Sequence, residues 1–135
     1  MTKQPSIDDV VNVAQFREAL RRFLRRNERV ARTSGLTPQR YLLLLMIKGA
    51  PDGSEQSTVT ELADRLQLAQ STVTELVRRA EEVGLVEREQ SASDGRVAYL
   101  RLTAEGERRL GRAFTDLADE RRELRSAFSH LDELA

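Results

Sequence analysis

The 135-residue chain contains no cysteine and no tryptophan, and only 4% of its residues are aromatic. Without cysteine it forms no disulfide framework and has no thiol for catalysis or peroxide sensing, which favours the reducing cytoplasm. Its longest apolar run, residues 41–47, has seven residues, far fewer than the roughly 18 that a membrane helix needs. The first fifteen residues also lack the basic start and apolar run of a signal peptide. These absences predict a cytoplasmic protein that does not associate with a membrane.

The residue patterns of an enzyme are also missing from the sequence. The single histidine, His130, has no nucleophile or metal-binding partner at a recognisable spacing, and there is no glycine-rich phosphate loop. We therefore expect no catalytic residues, no metal site and no cofactor.

Charge is plentiful in this chain but unevenly distributed. Charged residues make up 33% of the sequence and the net charge is zero. Residues 16–34 hold seven arginines and two glutamates, a balance of +5, whereas residues 57–103 hold six arginines and eight acids, a balance of −2. Because affinity for nucleic acid comes largely from local positive charge, a DNA-binding function has to be reconciled with the second value.

Apolar residues recur at spacings of three and four along most of the chain, which is typical of amphipathic helices. Five helices are predicted, over about residues 7–33, 39–48, 59–66, 70–84 and 104–127. Gly35 is expected to end the first helix in a left-handed conformation. Thr58 and Glu61 match a capping box at the start of the third. The second helix, apolar nearly all round, is expected to be central and buried.

The third and fourth helices are joined by the three residues 67–69, which predicts a helix-turn-helix. The fourth helix should bury one apolar stripe, formed by Val73, Leu76, Val77, Ala80 and Val83. The residues expected to meet DNA bases from its opposite face and first turn are Ser71, Thr72, Thr74, Glu75 and Arg78. By itself, this pattern fits the solvated face of an ordinary surface helix equally well.

A hairpin is predicted directly after the helix-turn-helix. Residues 85–88 read as a strand, and QSASDGRVAYLRLT, residues 90–103, begins as a polar loop and continues as an alternating strand. The whole is mainly α with a small antiparallel β-hairpin, in the order of a winged helix-turn-helix. Arg96 at the loop tip has the chemistry to enter a narrow minor groove, with Asp94 orienting it. An isolated Asp-Gly-Arg is more often a structural turn.

These segments together resemble the MarR (multiple antibiotic resistance regulator) family of bacterial transcription regulators. The resembling segments are GLTPQRYLLLL at 35–45, VTELADRL at 59–66, STVTELVRRAEEVGLVER at 71–88 and DGRVAYLRLTAEG at 94–106. The resemblance implies a winged helix-turn-helix lobe at 35–103 and dimerisation helices at 1–34 and 104–135. It also implies a homodimer that binds a pseudo-palindromic operator in double-stranded DNA, as a repressor or an activator, with repression expected here.

Family members often release DNA when a small, often phenolic, anion binds between the dimerisation helices and the DNA-binding lobe. The resemblance therefore implies an aromatic or anionic effector, and Arg17, Arg21 and Tyr41 are candidate residues for its pocket. Ordinary packing and surface roles account for these three residues as well.

Three features depart from the family pattern. The charge order of Glu75 and Arg78 is reversed, so that Glu75 either accepts from cytosine or positions Arg78. The lobe is acidic, so that Arg29, Arg32 and Arg40 are candidate phosphate contacts. The sequence stops where a last dimerisation helix, near residue 129, is expected only to begin. The acidic lobe also keeps open an alternative function, a winged helix that binds proteins without specific DNA binding.

Overall fold

Six helices and one hairpin make up the part of the chain that the computed structural model describes, residues 3–131. The elements are α1 (Ile7–Thr33), α2 (Pro38–Lys48), α3 (Val59–Leu66), α4 (Gln70–Glu82), β1 (Val86–Gln90), β2 (Ala98–Leu102), α5 (Ala104–Asp116) and α6 (Ala118–Leu131). The predicted fold class, mainly α with one antiparallel hairpin, is confirmed. The ends of the predicted dimerisation segments, residues 1–2 and 132–135, lie outside the described residues. No helix within residues 3–131 has both the length and the apolar character needed to cross a membrane.

Side chains of Ser and Thr begin most of these helices. Ser6, Thr37 and Thr103 each accept a hydrogen bond from the backbone N–H three residues later, at 3.1 Å. Thr58 and Glu61 form the predicted capping box before α3, with both reciprocal hydrogen bonds present. These contacts satisfy N–H groups that have no partner inside a helix, and so the boundaries follow from the local sequence.

The hydrophobic core is built around α2, as predicted. Leu43, Leu44 and Ile47 are fully buried, and α2 contacts α1, α3, α4, α5 and β2. Complete burial of each of these side chains contributes roughly 1.5–3 kcal/mol. Leu42 is an exception among the apolar side chains of α2, because it is 42% exposed and lines a cavity. The helix is therefore buried on most of its surface, but not all round.

The predicted fifth helix is two helices. The backbone of Leu117, at φ −99° and ψ 8°, ends α5, and its side chain is completely buried. Helix α6 then packs along α1, where the rings of Phe16 and Phe128 meet edge to face at 5.5 Å. The last helix thus begins at Ala118 and not near residue 129. The sequence has no Gly or Pro here to indicate the break, and it is the burial of Leu117 that ends α5.

A bridge at Ser57 adds a third segment to the hairpin, beside β2. β1 and β2 pair antiparallel, with Val86 opposite Leu102 and Gln90 opposite Ala98. Ser57 exchanges two backbone hydrogen bonds with Leu100, of 3.1 and 2.8 Å. The first strand starts one residue later than predicted and continues to Gln90, so that the loop comprises residues 91–97. The base of the hairpin is therefore attached to the segment that leads into α3.

Candidate nucleic-acid interface

Helices α3 and α4 form the predicted helix-turn-helix. Gln67 ends α3 in the left-handed conformation, at φ 56°, and the backbone N–H of Leu68 donates to the carbonyl oxygen of Ala63 at 3.0 Å. Helix α4 begins after Ala69, which provides no side-chain cap. The first N–H groups of α4 therefore have no side-chain acceptor at the N-cap. They are available to an acceptor that lies in front of the helix start.

The face of α4 that was predicted to meet DNA is open to solvent. Ser71, Thr72 and Thr74 are exposed, while Val73, Val77 and Ala80 of the opposite stripe are completely buried. The predicted stripe is wrong at its end. Val83 is 46% exposed, because the helix stops at Glu82 and the backbone at Val83 no longer follows the helical rotation.

Four charged side chains of α4 form one connected cluster. Arg78 donates from Nε to Oε2 of Glu75 at 2.9 Å, and from its terminal nitrogens to Oε1 of Glu75 and to Glu82. Arg79 donates to the same carboxylate of Glu75 at 3.1 Å. Hydrogen bonds from Arg78, and next from Arg79, lower the pKa of Glu75 from 4.5 to about 2. The cluster is electrically neutral, so that α4 presents hydroxyls and a network of paired charges.

The loop between β1 and β2 holds Arg96 at its tip. Ser91 donates from its backbone N–H to the carbonyl oxygen of Val97 at 2.9 Å, and Val97 donates to the carbonyl oxygen of Asp94 at 3.0 Å. One carboxylate oxygen of Asp94 accepts from the backbone N–H of Arg96 at 3.1 Å and from its Nε at 3.3 Å. The Arg96 side chain is nonetheless 92% exposed. Asp94 thus organises the turn while the guanidinium extends into solvent.

The three arginines predicted to contact phosphate lie in different surroundings. Arg32 is exposed in the last turn of α1, and Arg40 is half-buried in the first turn of α2. Arg29 lines a cavity of about 370 Å³ between α1 and α6, together with Glu120 and Glu123. Arg22, Arg25 and Arg26 line the same cavity, so that Arg29 lies in a largely basic surrounding and its phosphate contact stays a prediction.

An apolar cavity of about 520 Å³ lies between α1, α2, α5 and α6. It is lined by Phe23, Leu24, Asn27, Glu28, Pro38, Tyr41, Leu42, Leu45, Phe114 and Arg121. The guanidinium of Arg121 lies 3.8 Å from the centre of the Phe114 ring. Burial raises the pKa of Tyr41, and the positive charge of Arg121 partly offsets this increase. The cavity thus combines apolar walls with one hydroxyl and one cation, as small-molecule sites do.

Only one of the three predicted ligand residues lies in this cavity. Arg17 and Arg21 line a separate cavity of about 300 Å³ along α1, whereas Tyr41 lines the apolar one. Arg121 was not among the predicted residues, although its spacing of seven from Phe114 would place both on one face of the single fifth helix that the sequence predicts. Among residues 3–131 the structure shows no cluster of His, Asp or Glu that could hold a metal ion.

Comparison with known proteins agrees with the helix-turn-helix and hairpin seen in the structure. The model of the MarR family matches residues 34–97, from the end of α1 through the helix-turn-helix to the tip of the hairpin. Over these 64 of its 135 residues the chain is similar to the MarR family. A relative from Bacillus subtilis, the uncharacterized HTH-type transcriptional regulator YsmB, is 27% identical over 133 residues, which are 96% of this chain and 86% of that protein.

Solved structures of MarR family regulators share the fold. The transcriptional regulator MOSR from Mycobacterium tuberculosis, solved in complex with DNA, is 28% identical with a TM-score of 0.61, over 84% of this chain and 80% of that one. A mutant of MarR from Escherichia coli, solved with operator DNA, is 20% identical with a TM-score of 0.67, over 82% of this chain and 77% of that one. The hairpin therefore corresponds to the wing of the winged-helix fold in these structures.

Proposed function

We propose that this protein is a transcriptional repressor of the MarR family that binds a pseudo-palindromic operator in double-stranded DNA as a homodimer. The observation that carries the proposal is the pairing of an open hydroxyl face on α4 with an almost fully exposed arginine at the tip of the wing. Two structural relatives are solved with DNA, which supports the same use of these surfaces here.

In this proposal, α4 enters the major groove with its first turn. Ser71, Thr72 and Thr74 are short enough to allow the helix close to base edges, and their hydroxyls donate or accept hydrogen bonds there. The uncapped N–H groups after Ala69 are available to a backbone phosphate. Specificity would then come from α4, and positioning from backbone contacts at its start.

The wing contributes through Arg96. A guanidinium is permanently charged and weakly hydrated, so that it enters a narrow minor groove with little loss of hydration. The hydrogen bonds from Arg96 to Asp94 limit the conformations of the tip before binding. Arg29, Arg32 and Arg40 remain proposed phosphate contacts that would offset the acidic balance of the lobe.

The test is a titration of the protein against DNA from the region upstream of its own gene, at several salt concentrations. Protection of an inverted repeat, with affinity that falls steeply with salt, is expected. Arg96→Ala should weaken binding about tenfold, as expected for loss of one good groove contact. Arg112→Ala removes the same charge from an exposed position of α5 and should leave affinity unchanged. Weak binding without sequence preference would instead favour the alternative function, a protein-interaction module.

Homodimerisation is supported by the apolar surface of α1. Of its 27 residues only Val30 and Ala31 are buried, while Ile7, Val10, Val11 and Val13 are all at least 44% exposed. A helix with this many exposed apolar side chains requires a partner surface in water. The hydrogen bond from Arg26 to Glu120, 3.0 Å long, ties α6 to the same helix. We infer that α1 and α6 of two copies pack together.

Mutation of α1 tests the dimer directly. Val13→Asp places a charge in the proposed interface and should shift the protein toward monomer in sedimentation velocity experiments. Val83→Asp is the matched control, because Val13 and Val83 are 45% and 46% exposed. An equal effect of both variants on the sedimentation coefficient would contradict the proposed interface.

Release of DNA by a small aromatic anion is the remaining part of the proposal. The cavity beside Tyr41 and Arg121 has room for a single ring, and it spans both α2 of the lobe and α1, α5 and α6. With benzoate as the probe, titration calorimetry should detect binding that Arg121→Gln abolishes. Arg17→Gln, which alters the separate cavity, should bind benzoate as the wild type does. Binding unaffected by Arg121→Gln would place the anion elsewhere.

A further inference from the structure

Arg78 is held on two sides by carboxylates of its own helix. Its Nε and one terminal nitrogen donate to the two oxygens of Glu75, and its other terminal nitrogen donates to Glu82. A guanidinium carries five N–H donors in a fixed plane. Three of them are used within α4, which leaves one on each terminal nitrogen.

Glu75 has little capacity left to read a base. Its Oε1 accepts from Arg78 and from Arg79, and its Oε2 accepts from Nε of Arg78. To accept from the amino group of a cytosine, it would have to release an arginine beside the negatively charged DNA backbone. Of the two roles that the sequence leaves open for Glu75, the contacts favour the positioning of Arg78.

We infer that Glu75 is a positioning residue that holds Arg78 with its two remaining N–H groups directed at a guanine in the major groove. Guanine presents two acceptors there, O6 and N7, which match a pair of N–H donors. A side chain that is already fixed loses less conformational entropy when it binds. The Glu75 carboxylate also repels phosphate, which lowers affinity for all sequences alike. Glu75 would thus increase discrimination between sequences and reduce total affinity.

The inference rests on the proposed function, and its test starts with the wild-type protein. A duplex is selected from a randomised library, and the ratio of its dissociation constant to that of a scrambled duplex of equal composition is measured. The variants are Glu75→Gln, Arg78→Ala and the double variant. Glu75→Gln should lower discrimination about tenfold when Arg78 is present and leave it unchanged in the Arg78→Ala background. Its affinity for the scrambled duplex should increase.

Glu89→Gln is the control for charge. Glu89 lies exposed on β1 and pairs with Arg101 at 3.5 Å, so that its replacement removes one negative charge from the lobe without touching Arg78. It should leave discrimination at the wild-type value. In a second measurement, 7-deazaguanine replaces each guanine of the selected duplex in turn and removes the N7 acceptor. One such replacement should weaken wild-type binding severalfold and have no effect on Arg78→Ala.

The outcomes separate the inference from the proposed function. A wild-type protein that selects no sequence overturns both. A wild-type protein that selects a sequence, with Glu75→Gln lowering discrimination equally in the two backgrounds or no more than Glu89→Gln, overturns the positioning role alone. A selected duplex in which no deazaguanine weakens binding overturns the assignment of guanine.

Discussion

Replacing Gly106 with Ala tests the contact between α5 and the start of the hairpin. A Cβ at Gly106 would lie 2.2 Å from the backbone carbonyl oxygen of Leu85 and 3.4 Å from Cβ of Leu102. Since Cβ atoms essentially never come within 3.0 Å of another heavy atom, the helix and strand would have to separate by at least about 0.8 Å. The obstacle is backbone, which cannot rotate away as a side chain does.

The same carbonyl oxygen is held by a second contact. It accepts a hydrogen bond of 3.0 Å from the backbone N–H of Thr103, the residue that caps α5. Overpacking in a well-packed region costs about 1–3 kcal/mol, and a weakened hydrogen bond adds about 1 kcal/mol. The higher helix propensity of Ala offsets less than about 1 kcal/mol, because Gly106 lies in the first turn. We expect Gly106→Ala to reduce the free energy of unfolding by about 3 kcal/mol.

Gly111 provides a control on the same helix. It lies exposed in the middle of α5, and a Cβ there meets nothing within 4 Å. Gly111→Ala should therefore raise the free energy of unfolding by about 0.5–1 kcal/mol through helix propensity alone. Urea denaturation at one fixed protein concentration measures both values, since the proposed dimerisation would make the apparent stability depend on concentration. If Gly106→Ala is as stable as the wild type, the close packing of α5 on the hairpin is refuted.

Three further changes probe the core, a helix cap and an ion pair. Leu43→Ala leaves a cavity at a fully buried position of α2 and should lower the free energy of unfolding in urea by about 2–5 kcal/mol. A decrease below about 1 kcal/mol would contradict the central place of Leu43 in the core. Thr58→Ala removes the cap of α3 and should cost about 1 kcal/mol, whereas no change would show that the capping box is dispensable. Hydrogen bonds from Arg108, and next from Arg109, lower the pKa of Glu105 from 4.5 to about 2. The stabilising effect of the ion pair is therefore complete above pH 4.5 and is lost as the pH falls toward 2. Glu105→Gln should therefore lower the melting temperature at pH 7, and its difference from the wild type should shrink below pH 4.5 in thermal circular dichroism; a difference independent of pH would refute an ionic origin.

Local signals predicted most of the elements. The bounds of α1 agree with the prediction at both ends, because Ser6 accepts at its start and Gly35 takes the left-handed conformation, φ +79°, just after its end. The capping box before α3 is equally local, since all its atoms lie within four residues. Caps and turns of this kind depend on neighbouring residues alone, and so a sequence predicts them well.

The errors occur where contacts between distant residues decided the outcome. Periodicity continues through Leu117, but the break between α5 and α6 depends on the burial of that side chain in the core. The sequence also could not show that Arg17 and Tyr41 line different cavities, and their role in ligand binding stays a prediction. Arg121 reaches the cavity of Tyr41 only because α6 packs along α1.

The sequence by itself determined the helix-turn-helix, the wing that follows it and the exposed positions of Ser71 and Arg96, because period, caps and turn residues act over a few neighbours. The ion-pair cluster around Glu75 is local in the same way, because its members are three and four residues apart on α4. Only the tertiary structure decided the path of the chain after Leu117 and the cavity beside Tyr41. Both depend on which surfaces meet, and packing between elements sets this.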